Sequence, residues 1–176
     1  MPSHVSSVSP NAEVVSRQQA LQVNAAAAVG LMQVLQTNLG PTGTLKLLVG
    51  GTLEQLKLTK DGYTLLKEMQ IQHPTAALLA RTATAQDDVV GDGTTSTVLL
   101  TGALLQHCTR MVLQDGLHPR VLTDGIDIAR DACLEFLNEF AVPDESMIDN
   151  RDVLVSTART SLATKIDGAL VDKVRT

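Results

Sequence analysis

The apolar residues Leu21, Ala25, Ala28, Met32 and Leu35 recur at intervals of 4, 3, 4 and 3, which makes one continuous stripe along an α-helix. No other feature limits the fold as much, because a stripe this long commits the chain to a helix with a buried face. What can cover that face is limited in turn. Aromatic residues are 2% of the 176-residue chain, namely Tyr63, Phe136 and Phe140, and tryptophan is absent. The core must come from Ala, Leu, Val and Ile, which suits close-packed helices.

The remaining segments follow from their breaks. Residues 1–10 read as a loose tail or short edge strand, with Asn11 as the expected N-cap of the striped helix and Gly40-Pro41 as its stop. Leu45–Val49, Gly50-Gly51 and Thr52–Thr59 predict a hairpin with a two-residue turn. Further helices are predicted at Tyr63–Met69, from His73-Pro74 to about Val89, at Thr94–Leu113, from His118-Pro119 to about Phe140, and over roughly Asp149–Ser161 and Ile166–Arg175. The helix from Thr94 is apolar around most of its circumference, so a buried central position is expected. The fold class is mainly α with one hairpin. The chain ends at Thr176 inside an amphipathic pattern without a cap, as expected of a fragment.

Several functions are excluded by what the chain carries. A net charge of −5 and the shortage of rings argue against a single-strand nucleic-acid binder. The opening residues hold no apolar signal segment, and the longest apolar runs are too short to cross a bilayer. Cys108 and Cys133 lack metal-site spacing and read as buried thiols of a reducing compartment. A soluble cytoplasmic protein is expected. The GxxxxGK[ST] phosphate loop is absent.

The chemistry concentrates at Gly91-Asp92-Gly93-Thr94-Thr95-Ser96, directly before the apolar run Val98-Leu99-Leu100. A helix start offers unpaired N–H groups and partial positive charge, a seat for phosphate. The glycines admit close backbone approach, Asp92 could hold Mg²⁺, and the three hydroxyls could cap the helix or donate to phosphate oxygens. An Asp-Gly turn before an ordinary capped helix accounts for the same residues. Three more motifs stand in order around it: Leu39-Gly40-Pro41-Thr42-Gly43, Leu58-Thr59-Lys60-Asp61-Gly62, and Ala158-Arg159-Thr160-Ser161-Leu162. Singly, Gly40-Pro41 explains itself as a helix stop and Asp61-Gly62 as a turn. Asp87 and Asp88 read as a solvated helix end, His73 and His118 as helix-start residues, His107 as a core or interface histidine, and Arg159 as an ion-pair partner.

LGPxG, TKDG and GDGTT in this order resemble the nucleotide site of the chaperonins. The whole chain is similar to the N-terminal third of a eukaryotic cytosolic chaperonin (TRiC/CCT) subunit. Glu68–Ala76 and Ala85–Asp88 look most like the zeta class of subunit. The resemblance implies an equatorial-domain-like helical bundle with one hairpin over residues 1–147, and the start of an intermediate domain over 148–176. It implies ATP or ADP with Mg²⁺ as cofactors. Asp92 would be the metal ligand, and Gly93, Thr94, Thr95 and Ser96 the phosphate cradle. Leu39, Gly40 and Pro41 would line the nucleotide, with contacts from Thr160, Ser161 and Lys165. Asp61 would be the catalytic carboxylate that positions water.

The resemblance also implies partners: other subunits of a double-ring hetero-oligomer, unfolded client proteins bound through regions absent here, and no nucleic acid or membrane. The hairpin would pair with terminal strands of a neighbouring subunit. A second catalytic carboxylate and the client-binding domain lie outside the matched third, so little hydrolysis is expected of this chain alone. A non-enzymatic module that binds chaperonin subunits, or itself, through the hairpin and the equatorial surface is the alternative.

Overall fold

The computed structural model describes residues 14–50, 56–141, 150–163 and 166. They form helix α1 (Arg17–Gln36), strands β1 (Lys46–Val49) and β2 (Leu56–Thr59), and helices α2 (Gly62–Glu68), α3 (Pro74–Val90), α4 (Thr94–Leu113), α5 (Pro119–Phe140) and α6 (Arg151–Ala163). The fold class is the expected one, mainly helical with a single antiparallel hairpin.

The ends of α1 differ from expectation for local reasons. Its N-cap is Ser16 rather than Asn11, which lies outside the described residues. Ser16 and Gln19 form a reciprocal capping box: the Gln19 N–H donates to Ser16 Oγ at 3.3 Å, and the Ser16 N–H donates to Gln19 Oε1 at 3.0 Å. At the other end the helix stops at Gln36, ahead of Gly40-Pro41. Gly40, at φ +83°, turns the loop that follows rather than the helix terminus. The Thr44 N–H donates to Thr37 O at 2.8 Å and closes that loop back onto the helix end.

The hairpin pairs Lys46 with Thr59 and Val49 with Leu56. Residues 50–55 therefore connect the strands, and the two-residue Gly-Gly turn is ruled out by this register. Helices α3 and α5 start as expected: His73 Nδ1 accepts from the Thr75 N–H at 3.3 Å, His118 Nδ1 accepts from the Arg120 N–H at 3.1 Å, and a proline follows each histidine.

The core lies where α1, α2, α3 and α4 meet. Ala28, Leu31 and Leu35 of α1 pack with Leu65 and Leu66 of α2, with Ala76, Leu79, Ala80 and Ala83 of α3, and with Val98 of α4. Small side chains bring the backbones close. A Cβ added to Gly102 of α4 would fall 2.6 Å from Met32 Cβ, so this glycine is required where α1 crosses α4. Each fully buried leucine contributes about 1.5–3 kcal/mol of transfer free energy.

Two expectations about burial fail. Helix α4 is central, packing on α1, α2 and α3, yet only Thr94, Val98 and Gly102 of it are buried and Leu100 is 65% exposed. Its outer face has no cover among the described residues. For the same reason His107 and Cys133 are exposed and Cys108 is only half-buried, so none of the three is a core residue. No residue of α5 or α6 is buried. The predicted helix 166–175 lies outside the described residues except for Ile166. No described helix is long and apolar enough to cross a membrane.

Candidate functional site

Three of the four motifs meet, and glycines make the meeting possible. Gly62 is buried, and a Cβ on it would fall 2.5 Å from Thr95 Oγ1, 2.6 Å from Thr94 Oγ1 and 3.2 Å from the Thr95 nitrogen. The Asp61-Gly62 turn thus sits directly against the first residues of α4. On its other side, Lys60 Nζ donates to Pro41 O at 3.3 Å. The β2–α2 turn is wedged between the Gly40–Gly43 loop and the start of α4.

The start of α4 is unusual in its handedness. Gly91 is the left-handed C-cap of α3 at φ +77°, and Gly93 is the N-cap of α4 at φ +86°. Asp92 is held between them, exposed, with Oδ1 accepting from the Gly93 N–H at 2.7 Å. No side chain caps α4, so Thr94, Thr95 and Ser96 do not serve as caps. They lie inside the first turn, where backbone N–H groups have no carbonyl partner in their own helix. Thr94 is buried, Thr95 half-buried and Ser96 exposed.

Asp61 is the N-cap of α2. Its Oδ2 accepts from the Thr64 N–H and from Thr64 Oγ1, each at 3.0 Å, while its own N–H donates to Thr59 Oγ1 at 3.1 Å. The carboxylate is therefore oriented before any ligand arrives. Leu39 and Pro41 are exposed on the neighbouring loop, and Gly40 is half-buried.

The geometry that joins these motifs does not extend to the fourth. Thr160, exposed on α6, donates its hydroxyl to Ser156 O of its own helix at 2.9 Å, and Ser161 is exposed beside it. Lys165 lies outside the described residues. Two lysines without a predicted role lie near these motifs: Lys60, on Pro41 O, and Lys46, whose Nζ donates to Thr37 Oγ1 at 2.8 Å at the end of α1. The lysine directly before Asp61 was the available signal for the first; nothing in the linear pattern marked the second. A groove of about 740 Å³ lies elsewhere, between the hairpin and the end of α2, and holds none of the predicted site residues. At its rim Lys57 Nζ lies 2.7 Å from Glu68 Oε1, and this hydrogen bond and charge hold the Glu68 carboxyl below its ordinary range.

Among the described residues no group of three or more His, Cys, Asp or Glu side chains could cage a metal. Mg²⁺ does not call for such a cage: it keeps several waters and takes one or two carboxylates alongside phosphate oxygens. Asp92, exposed at a helix start with no side-chain cap, is the carboxylate of this cluster that would offer an oxygen donor to such an ion.

The three motifs thus form one cluster: a turn packed by glycine against a helix start that has no side-chain cap, beside a second glycine loop. The chain belongs to the TCP-1/cpn60 chaperonin family, whose family pattern matches residues 31–175. It is 51% identical over 168 residues to human (Homo sapiens) T-complex protein 1 subunit zeta-2, covering 96% of this chain and 31% of that protein. The mouse (Mus musculus) protein of the same name is 52% identical over 163 residues, covering 93% of this chain and 30% of its own. The resemblance to zeta-type subunits is borne out. The chain spans a little under a third of the length of these relatives.

Proposed function

We propose that this chain forms the nucleotide-facing part of an ATP-driven chaperonin subunit, equatorial over residues 1–147 and entering an intermediate domain over 148–176. The observation that carries this reading is the contact of Gly62 with Thr94 and Thr95, which brings TKDG against GDGTT and, through Lys60, beside LGPTG. Phosphoryl transfer asks mainly for positioning and charge neutralisation. When bound, Mg²⁺ would neutralise phosphate charge, held by Asp92. The amides of Thr94, Thr95 and Ser96 would donate to phosphate oxygens. Gly40 and Pro41 would border the nucleotide through their backbone, with Leu39 beside them. Asp61, locked by Thr64, would orient water for attack. Thr160, Ser161 and Lys165 would complete the site from the adjoining domain.

The parent assembly is proposed as a cytoplasmic double-ring hetero-oligomer that folds client proteins, with nucleotide turnover driving ring closure. Titration of Mg-ATP into the assembled subunit tests the metal assignment. Asp92→Ala should weaken binding about tenfold or more, since partners of charged groups are worth about 1.5–3 kcal/mol. Equal affinity for wild type and variant, with and without Mg²⁺, would remove Asp92 from the site.

A second reading, a non-enzymatic module that binds chaperonin subunits or itself, draws on the hairpin. Leu47 and Val49 of β1 pair with Leu58 and Leu56 of β2, and all four are more than half exposed. An apolar strand face with open edges invites pairing with another chain. Size-exclusion chromatography combined with a phosphate-release assay separates the readings: oligomers without turnover favour the module, and turnover in a monodisperse sample favours the enzyme.

A further inference from the structure

We propose that the base of the hairpin is a two-lysine clamp on the Thr37–Thr44 loop, with Lys46 and Lys60 as positioning residues for Gly40 and Pro41. Lys46 begins β1, and its strand partner Thr59 ends β2 immediately before Lys60, so the two side chains leave the same end of the hairpin. They bond different parts of the loop. Lys46 Nζ donates to Thr37 Oγ1 at 2.8 Å, where α1 ends, and Lys60 Nζ donates to Pro41 O at 3.3 Å, at the tip.

The loop is shaped to receive the second arm. A Cβ on Gly43 would strike the Asn38 carbonyl, which makes glycine necessary here, and would also fall 2.8 Å from Lys60 Cε, whose stem crosses at this point. Beneath the loop Asn38 is buried, and its Nδ2 has no hydrogen-bond partner among the described residues. The loop's own closure includes three short-range bonds: Gly43 N–H to Gly40 O at 3.2 Å, Thr44 N–H to Thr37 O at 2.8 Å and Thr44 Oγ1 to Thr37 O at 3.2 Å. With α1 already ended at Gln36, the loop that carries Gly40-Pro41 is tied to the helix end through Thr44 on Thr37, and to the hairpin through the two lysines. The bearing of the clamp on nucleotide rests on the function proposed above; the clamp itself does not.

Amide hydrogen exchange on the nucleotide-free chain tests it. Lys46→Met and Lys60→Met should each speed exchange at Gly43 and Thr44 by about two- to tenfold, the worth of one net hydrogen bond, and the double variant should exceed either. Amides of Ala28 in α1 and Ala83 in α3 should not change. Lys60→Arg should restore protection, because a guanidinium can still donate to the Pro41 carbonyl. Wild-type exchange at Gly43 and Thr44 in the double variant would overturn the clamp. So would an equal rise at Ala28 and Ala83, which would mean general loosening. Mg-ATP titration then links loop to ligand: the double variant should bind more weakly by a similar factor. Failure of the wild type to bind Mg-ATP would count against the proposed function alone, since exchange is read without nucleotide.

Discussion

Helices α1 and α5 carry the same apolar rhythm and meet different fates. In α1 it runs Leu21, Ala25, Ala28, Met32, Leu35; in α5 it runs Leu122, Ile126, Ala129, Cys133, Phe136, Phe140, again at alternating steps of 4 and 3. The stripe of α1 faces α4 and α3, with Ala28 and Leu35 fully buried. That of α5 lies open, and its two phenylalanines stack on each other at a ring separation of 5.4 Å. Periodicity reports that a face requires a partner; it carries no information on whether the partner is present.

The strongest way to break this comparison is truncation on each stripe. Leu35→Ala should cost about 2–5 kcal/mol in urea or thermal unfolding of this chain, through lost transfer energy and an unfilled cavity. Phe136→Ala should cost less, about 1 kcal/mol or below, the worth of its stacking on Phe140. Equal losses would show that the α5 face is covered in solution. Next in size is Gly62→Ala, which drives a methyl toward Thr94, Thr95 and the Thr95 backbone nitrogen. Overpacking of this kind costs about 1–3 kcal/mol, and Mg-ATP affinity should fall with the melting temperature.

Smaller still is the cap on α2. Asp61→Ala should lower stability by about 1 kcal/mol through the lost bond to Thr64, whereas Asp61→Asn keeps an acceptor and should melt near wild type. If Asp61 also orients water, both variants slow phosphate release in the assembled subunit; a normal rate in Asp61→Asn would confine the residue to capping. The least effect belongs to the exposed Lys57–Glu68 pair, which salt screens. Because Lys57 lowers the folded carboxyl, the pair's contribution is complete above the ordinary carboxylate range and is lost as pH falls through the lowered value. Melting curves of wild type and Glu68→Gln should differ slightly at neutral pH and converge in acid.

Much of the candidate site was legible because its parts are local. Gly91-Asp92-Gly93 before a long apolar run fixes a helix start, and the order of the glycine motifs matched a family. Most errors fell where distant residues decide, the cap of α1 being a local exception. Gly50-Gly51 looked like a two-residue turn, but register is set by pairing Leu47 with Leu58 and Val49 with Leu56. Asn11 is a plausible cap by type, but only Ser16 has a glutamine at the third helical position. The roles of Lys46 and Lys60 depend on a loop folding back to meet them, which no spacing along the chain encodes. The apolar outer face of α4 promised burial that the described residues do not supply.

Gly91 and Gly93 bracket Asp92 with backbone torsions of the hand that L-amino acids avoid, and around Gly91 there is nothing within 4 Å for a methyl to touch. Crowding is therefore no obstacle at position 91; chirality alone is. A semisynthetic chain with D-alanine there would adopt this torsion as its native preference and stiffen the loop, while the L-enantiomer of identical size would deform it. Mirror-image residues thus offer a means of reading how far the direction of one carboxylate is written into backbone stereochemistry.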